Sequence, residues 1–114
     1  MLITKKFVFD AAHKLIDYPG KCKELHGHTY VLFVTVKGSV DKKSGMVIDF
    51  SWLSQIVNRE VVETLDHHFL NEIIGQPTAE NISIWIWKRL KKHFNVYKIE
   101  LQETPGSSVT YYGK

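Results

Sequence analysis

His26-Gly27-His28 opens directly into the apolar run TYVLFVTV at 29–36. Residues two apart on a strand share a face, so both imidazoles fall in line with Tyr30, Leu32, Val34 and Val36. Two imidazoles on one face can share a metal ion. Cys22, four residues before His26, is the chain's single cysteine. It has no partner for an internal disulfide, so its thiol reads as a fourth metal ligand, as a nucleophile or base activated by a nearby cation, or as an inert buried group. A polar, lysine-flanked setting between Lys21 and Lys23 disfavours the last of these.

The rest of the chain divides by periodicity. Residues 2–13 read as a strand, with Phe7, Phe9, Ala11 and His13 on one face, and 14–25 as a loop with Asp17, Pro19 and Gly20. Residues 28–38 form the second strand, 38–45 a turn, and 46–49 an extended lead into a helix over 50–65. That helix carries the stripe Leu53, Ile56, Val57, Val61 and Leu65, with Asp49 or Ser51 as its cap. A loop over 66–78 follows. Thr78 caps a second helix over 79–94, striped by Ile82, Ile86, Leu90 and Phe94. Strands over 96–104 and 108–112 meet at the turn Pro105-Gly106. The order ββααββ predicts an α+β fold, a four-stranded antiparallel sheet with two helices on one face. Four strands do not close a barrel, and two open sheet edges invite pairing with further copies.

The length of 114 residues fits one domain over 1–114. No apolar run approaches the roughly 20 residues that span a bilayer. The start, MLITKKFVFDAAH, has no signal-peptide layout, and with one cysteine this points to the cytoplasm. The net charge of +3 and pI near 9.0 trace largely to KRLKKH at 88–93, read as a solvated helix face. A nucleic-acid surface needs a denser basic patch with exposed aromatics, so neither nucleic acid nor membrane is expected as a partner.

Three groups of residues are suited to chemistry. His13, at the end of the first strand, converges with His26 and His28 if the two strands are antiparallel neighbours, giving the three protein ligands of a catalytic zinc site. Asp66 and His67 sit together after a helix end, where a carboxylate can orient an imidazole or raise its pKa; His68 is the neighbouring alternative. Tyr97, Ile99 and Leu101 share the parity of Glu103, which ends an apolar row. A carboxylate there is either at the wet end of the sheet or partly desolvated; if desolvated it needs donors, and the adjacent N–H groups of a 2-aminopyrimidinone satisfy both of its oxygens.

FDAAHKL, CKELHGHTY, GMVIDF, LDHHFLN, PTAEN and Glu103-Thr104, in this order over nearly the whole chain, resemble the 6-pyruvoyl- and 6-carboxy-tetrahydropterin synthase family. The resemblance implies the tunnelling fold (T-fold), in which trimers form a twelve-stranded barrel and two trimers stack into a hexamer, with active sites at subunit interfaces. It implies zinc on His13, His26 and His28, Cys22 as catalytic base, and Asp66 with His67 as the second proton-transfer group. It further implies Glu103 as the pterin anchor, with Thr78 and Glu80 lining the pterin pocket, although Thr78 reads equally as a helix cap. The implied substrate is 7,8-dihydroneopterin triphosphate; Lys14, Lys21 and Lys23 are candidates to meet its triphosphate, and no spacing rule selects among them. Three residues separate Cys22 from His26, against five in the animal pyruvoyl enzymes, and with Asp49-Phe50 this resembles the carboxy branch of queuosine-type precursor synthesis. That branch yields 6-carboxy-tetrahydropterin and acetaldehyde. The alternatives are the pyruvoyl product and a non-catalytic zinc-stabilised pterin-binding module.

Overall fold

The computed structural model describes residues 1–20 and 23–114, so the expectations attached to Lys21 and Cys22 fall outside the described residues. The strands are β1 (Leu2–His13), β2 (His26–Lys37), β3 (Val96–Thr104) and β4 (Ser107–Tyr111), and the helices α1 (Phe50–Val57), α2 (Glu63–Leu65) and α3 (Ala79–Leu90). The sheet runs β1-β2-β3-β4, every neighbouring pair antiparallel. This is the T-fold topology expected from the strand and helix order.

Alternation on β1 and β2 sends Phe7, Phe9, Ala11 and His13, with Tyr30, Leu32 and Val34, to one buried face. Leu53, Val57, Val61 and Leu65 pack there from the first helical rod, and Ile82, Ile86 and Leu90 from α3. Each fully buried aliphatic or aromatic side chain contributes about 1.5–3 kcal/mol relative to exposure. Truncating a fully buried residue such as Leu32 to alanine costs about 2–5 kcal/mol.

Several boundaries differ from the sequence reading, each for a local reason. β2 starts at His26 rather than at 28, because His26 pairs with His13 and Gly27 with Ala12. Residues 46–49 bend instead of running extended, and Asp49 caps α1 by accepting the Ser51 N–H at 2.9 Å. The helix over 50–65 is interrupted by a π-helical segment, Asn58–Val62, between α1 and α2. α3 stops at Leu90, although Phe94 four residues on is still buried.

On β3 the register passes from Thr35↔Lys98 to Val36↔Val96, leaving Tyr97 as an extra residue. Val96, Ile99 and Leu101 therefore form the buried row, and Tyr97 is exposed. A second irregularity, between Gln102↔Ser108 and Thr104↔Ser107, leaves Glu103 as the extra residue. Bulges of this kind re-aim a side chain, and here the re-aimed group is a carboxylate.

Candidate functional site

The β1–β2 register sets Ala11 opposite His28 and His13 opposite His26, so the antiparallel pairing expected from the sequence brings all three imidazoles together. Their ligand-capable nitrogens lie within 4.8 Å of one another. His13 is almost fully buried. Its Nδ1–H donates to the Pro77 carbonyl at 2.7 Å, and the His26 Nδ1–H donates to the Glu24 carbonyl at 2.7 Å. A carbonyl only accepts, so these bonds put the proton of each neutral ring on Nδ1 and leave a lone pair on Nε2. The two Nε2 atoms stand 3.0 Å apart. The third member, His28, has a buried Nε2 without a hydrogen-bond partner.

Two lone pairs facing at that distance, beside an unsatisfied third nitrogen, form a donor set that asks for a cation. Carbonyls that orient the ligating rings are the usual support of a metal site. Three imidazoles with room for a further ligand match a catalytic zinc centre, so the residues present fit that ion. Burial holds the His28 imidazole below its ordinary pKa, with Glu103 pulling against this and His13 and His26 reinforcing it. An imidazole kept neutral is the ligating form.

Glu103 Oε1 lies 3.6 Å from His28 Nε2 on the rim of the cluster. It also lines a groove of about 320 Å³ with Tyr18, Thr78, Glu80, Ser107 and Ser108. Thr78 combines both readings given to it: its Oγ1 accepts the Asn81 N–H at 3.1 Å and caps α3, and it lines the groove. The groove thus gathers Thr78, Glu80 and Glu103, separated by up to 25 positions in sequence.

Asp66 and His67 form a second group at the free edge of β1. His67 Nδ1 meets Asp66 Oδ2 at 2.9 Å. The backbone holds the pair in place: His67 N–H donates to Asp10 C=O at 2.6 Å, and Ala12 N–H to His68 C=O at 3.1 Å. His67 sits at φ +58°, a left-handed conformation uncommon for a side-chain-bearing residue. The Asp10 N–H bonded to Asp66, followed by the bond from His67, holds that carboxyl below its ordinary value. The hydrogen bond to Asp66 raises the His67 imidazole above its own. A groove of about 510 Å³ is lined by residues of both groups, among them His28 and Gly27 on one side and His67 and His68 on the other.

His68 lines the groove but makes no bond to the Asp66 carboxylate; its Nδ1 donates to the Asp66 carbonyl at 2.7 Å. Two residues not singled out from the sequence also belong to the site. Tyr30 lies beneath the cluster, Oη 3.3 Å from His13 Nδ1, its phenol pushed well above its ordinary pKa by burial and by Glu103. Its parity with His28 carried that signal. Asp10 touches the Asp66–His67 pair through its backbone, which no spacing reveals.

Comparison with known proteins identifies the chain's family. The family model described as 6-pyruvoyl tetrahydropterin synthase matches residues 2–114. A 6-carboxy-5,6,7,8-tetrahydropterin synthase of Haemophilus influenzae is 38% identical over 136 residues, covering 96% of each chain. A dihydroneopterin monophosphate aldolase of Pyrococcus furiosus is 46% identical over 87 residues, 75% of this chain and 70% of that one. The solved structure of 6-pyruvoyl tetrahydropterin synthase from Caenorhabditis elegans superposes with a TM-score of 0.91 at 31% identity, covering 100% of this chain and 96% of that one.

Proposed function

Because the chain belongs to the 6-pyruvoyl tetrahydropterin synthase family, a family of lyase-type enzymes, we propose that it is a zinc-dependent lyase acting on 7,8-dihydroneopterin triphosphate. The products are 6-carboxy-5,6,7,8-tetrahydropterin, acetaldehyde and triphosphate, which places it in 7-deazapurine or queuosine-type precursor synthesis. The observation that carries the reading is the convergence of three imidazole nitrogens within 4.8 Å beside the Glu103 carboxylate. The name of the Haemophilus relative and the short Cys22–His26 spacing support the carboxy product.

His13, His26 and His28 would hold the zinc, which would supply Lewis acidity toward the oxygens of the substrate side chain. Glu103 accepts the N–H donors of the pterin ring in charge-assisted hydrogen bonds. Thr78 and Glu80 bound the same groove. His67, oriented by Asp66, moves a proton on one side of the reacting carbons, and the Cys22 thiolate moves one on the other. Asp66 occupies His67 Nδ1, leaving Nε2 for the substrate. β1 and β4 are the outer strands of the sheet, and pairing of such edges between copies builds the barrel of a hexamer, a dimer of trimers. No described helix is long and apolar enough to cross a membrane, in keeping with a cytoplasmic site of action.

Identification by mass of the products formed from the triphosphate substrate with zinc tests this directly. 6-Carboxy-tetrahydropterin with acetaldehyde is expected. A 6-pyruvoyl product overturns the branch while keeping the site. The Pyrococcus relative's name favours a second reading, aldol cleavage of the monophosphate, so the monophosphate is assayed in parallel. Faster turnover of the monophosphate, with release of a phosphorylated two-carbon aldehyde in place of acetaldehyde, establishes the aldolase instead.

A further inference from the structure

Asp10 stands opposite Thr29 in the β1–β2 register. Its N–H donates to Asp66 Oδ1 at 2.9 Å and its C=O accepts from His67 N–H at 2.6 Å. One residue of an edge strand points both backbone groups the same way, and here they grip both members of the pair. The Asp10 side chain does something else. It lies on the exposed face of the sheet, where its Oδ1 accepts the Thr29 hydroxyl across the strands. A carboxylate oxygen of Asp10 comes within 4.8 Å of both the Asp66 carboxylate and a ring nitrogen of His67. The backbone grip survives substitution of the side chain, so the carboxylate is free to serve a separate purpose.

We propose that the Asp10 carboxylate, oriented by Thr29, is a positioning residue that holds His67 in its protonated form. The inference rests on His67 being the proton-moving group proposed above. His67 is 78% exposed, and one carboxylate at about 4 Å in water contributes only about 1 kcal/mol. A second anion adds to that field without occupying another ring nitrogen. The charged groups facing His67 are Asp66, bonded to it, and Asp10 from β1; the Asp66 hydrogen bond raises the imidazole most, the Asp66 charge adds to it, partial burial opposes, and the Asp10 charge raises it further.

The test is an NMR titration of the His67 ring in the zinc-loaded, assembled protein, in wild type, Asp10→Asn and Thr29→Val. Asparagine keeps the shape and the acceptor for Thr29 and removes the charge. The His67 midpoint is expected to fall in Asp10→Asn, to fall less in Thr29→Val, and to differ less from wild type at high salt, since exposed charges are screened. The high-pH limb of kcat is expected to move down with it, while KM and zinc content hold. An unmoved midpoint overturns the inference. A lowered midpoint with an unmoved pH profile upholds the effect of Asp10 on His67 and overturns instead the role given to His67. Should Asp10→Asn fail to fold, Thr29→Val and Asp10→Ser carry the same reading, the serine variant expected to lower the midpoint and an unmoved value in both contradicting it.

Discussion

His13, His26 and His28 reach one another from the buried face of β1 and β2, whereas Asp66 and His67 hang from the edge of β1 on a loop. The first group is held by strand register and by carbonyls on two of its rings. Its third ring, His28, has a buried Nε2 without a hydrogen-bond partner. The second group is more open to water, is tied to the Asp10 backbone, and carries its charge by local bonds rather than by burial. The contrast separates two tasks. A metal site needs neutral ligands fixed before the ion arrives, and burial supplies both conditions. A proton-transfer pair needs a ring that changes charge near neutral pH, and exposure with a bonded carboxylate keeps that change accessible.

The sharpest way to break the contrast is to remove a ligand. His26→Ala is expected to cost turnover about a thousandfold or more, the several kcal/mol of charge stabilisation that a metal supplies; substantial turnover in excess zinc argues against the cluster as the reaction centre. His67→Asn comes next, with a loss of about 10²–10⁴-fold in kcat, the usual worth of a general acid or base, read by steady-state kinetics on the zinc-loaded protein. Glu103→Ala is expected to weaken pterin binding roughly 10- to 150-fold, as loss of charged hydrogen bonds worth about 1.5–3 kcal/mol implies. Calorimetry with a pterin analogue measures this, and unchanged affinity shows that Glu103 is only a polar strand end.

The smallest effect is on stability. Asp66 is depressed below its ordinary value, so its contribution is present above the unfolded carboxylate range and disappears as pH falls through the lowered value. His67 is raised, so its contribution is present below its unfolded value and disappears as pH rises through the raised one. The Tm difference between wild type and Asp66→Asn is therefore expected to peak between about pH 4 and 6.5, the unfolded values of the two groups. A difference that is flat with pH contradicts the pairing.

The two regions were also unequally legible in the sequence. Alternation along 2–13 and 28–38 located the core face and put His13 and His28 on it, because strand parity follows from the side-chain pattern; that the three histidines meet depends on the antiparallel β1–β2 register, which was a condition of the sequence reading. Asp66 and His67 were visible as adjacent residues, but their bond depends on a left-handed turn at His67 and on the Asp10 backbone, neither of which has a local signature. The π-helical segment at Asn58–Val62 left the apolar stripe intact and so left no mark. The bulges at Tyr97 and Glu103 were invisible because each depends on what a neighbouring strand pairs with. Tyr97 was accordingly placed in the buried row that Val96 occupies.

Zinc content bears most directly on the division of labour between the two regions. Elemental analysis of the purified, zinc-equilibrated wild type, His28→Ala and His67→Asn proteins compares them side by side. The expected result is one zinc per chain in wild type and in His67→Asn, and a strong loss in His28→Ala. Full zinc in His28→Ala, or its loss in His67→Asn, would contradict a buried three-histidine centre that stands apart from the exposed Asp66–His67 pair.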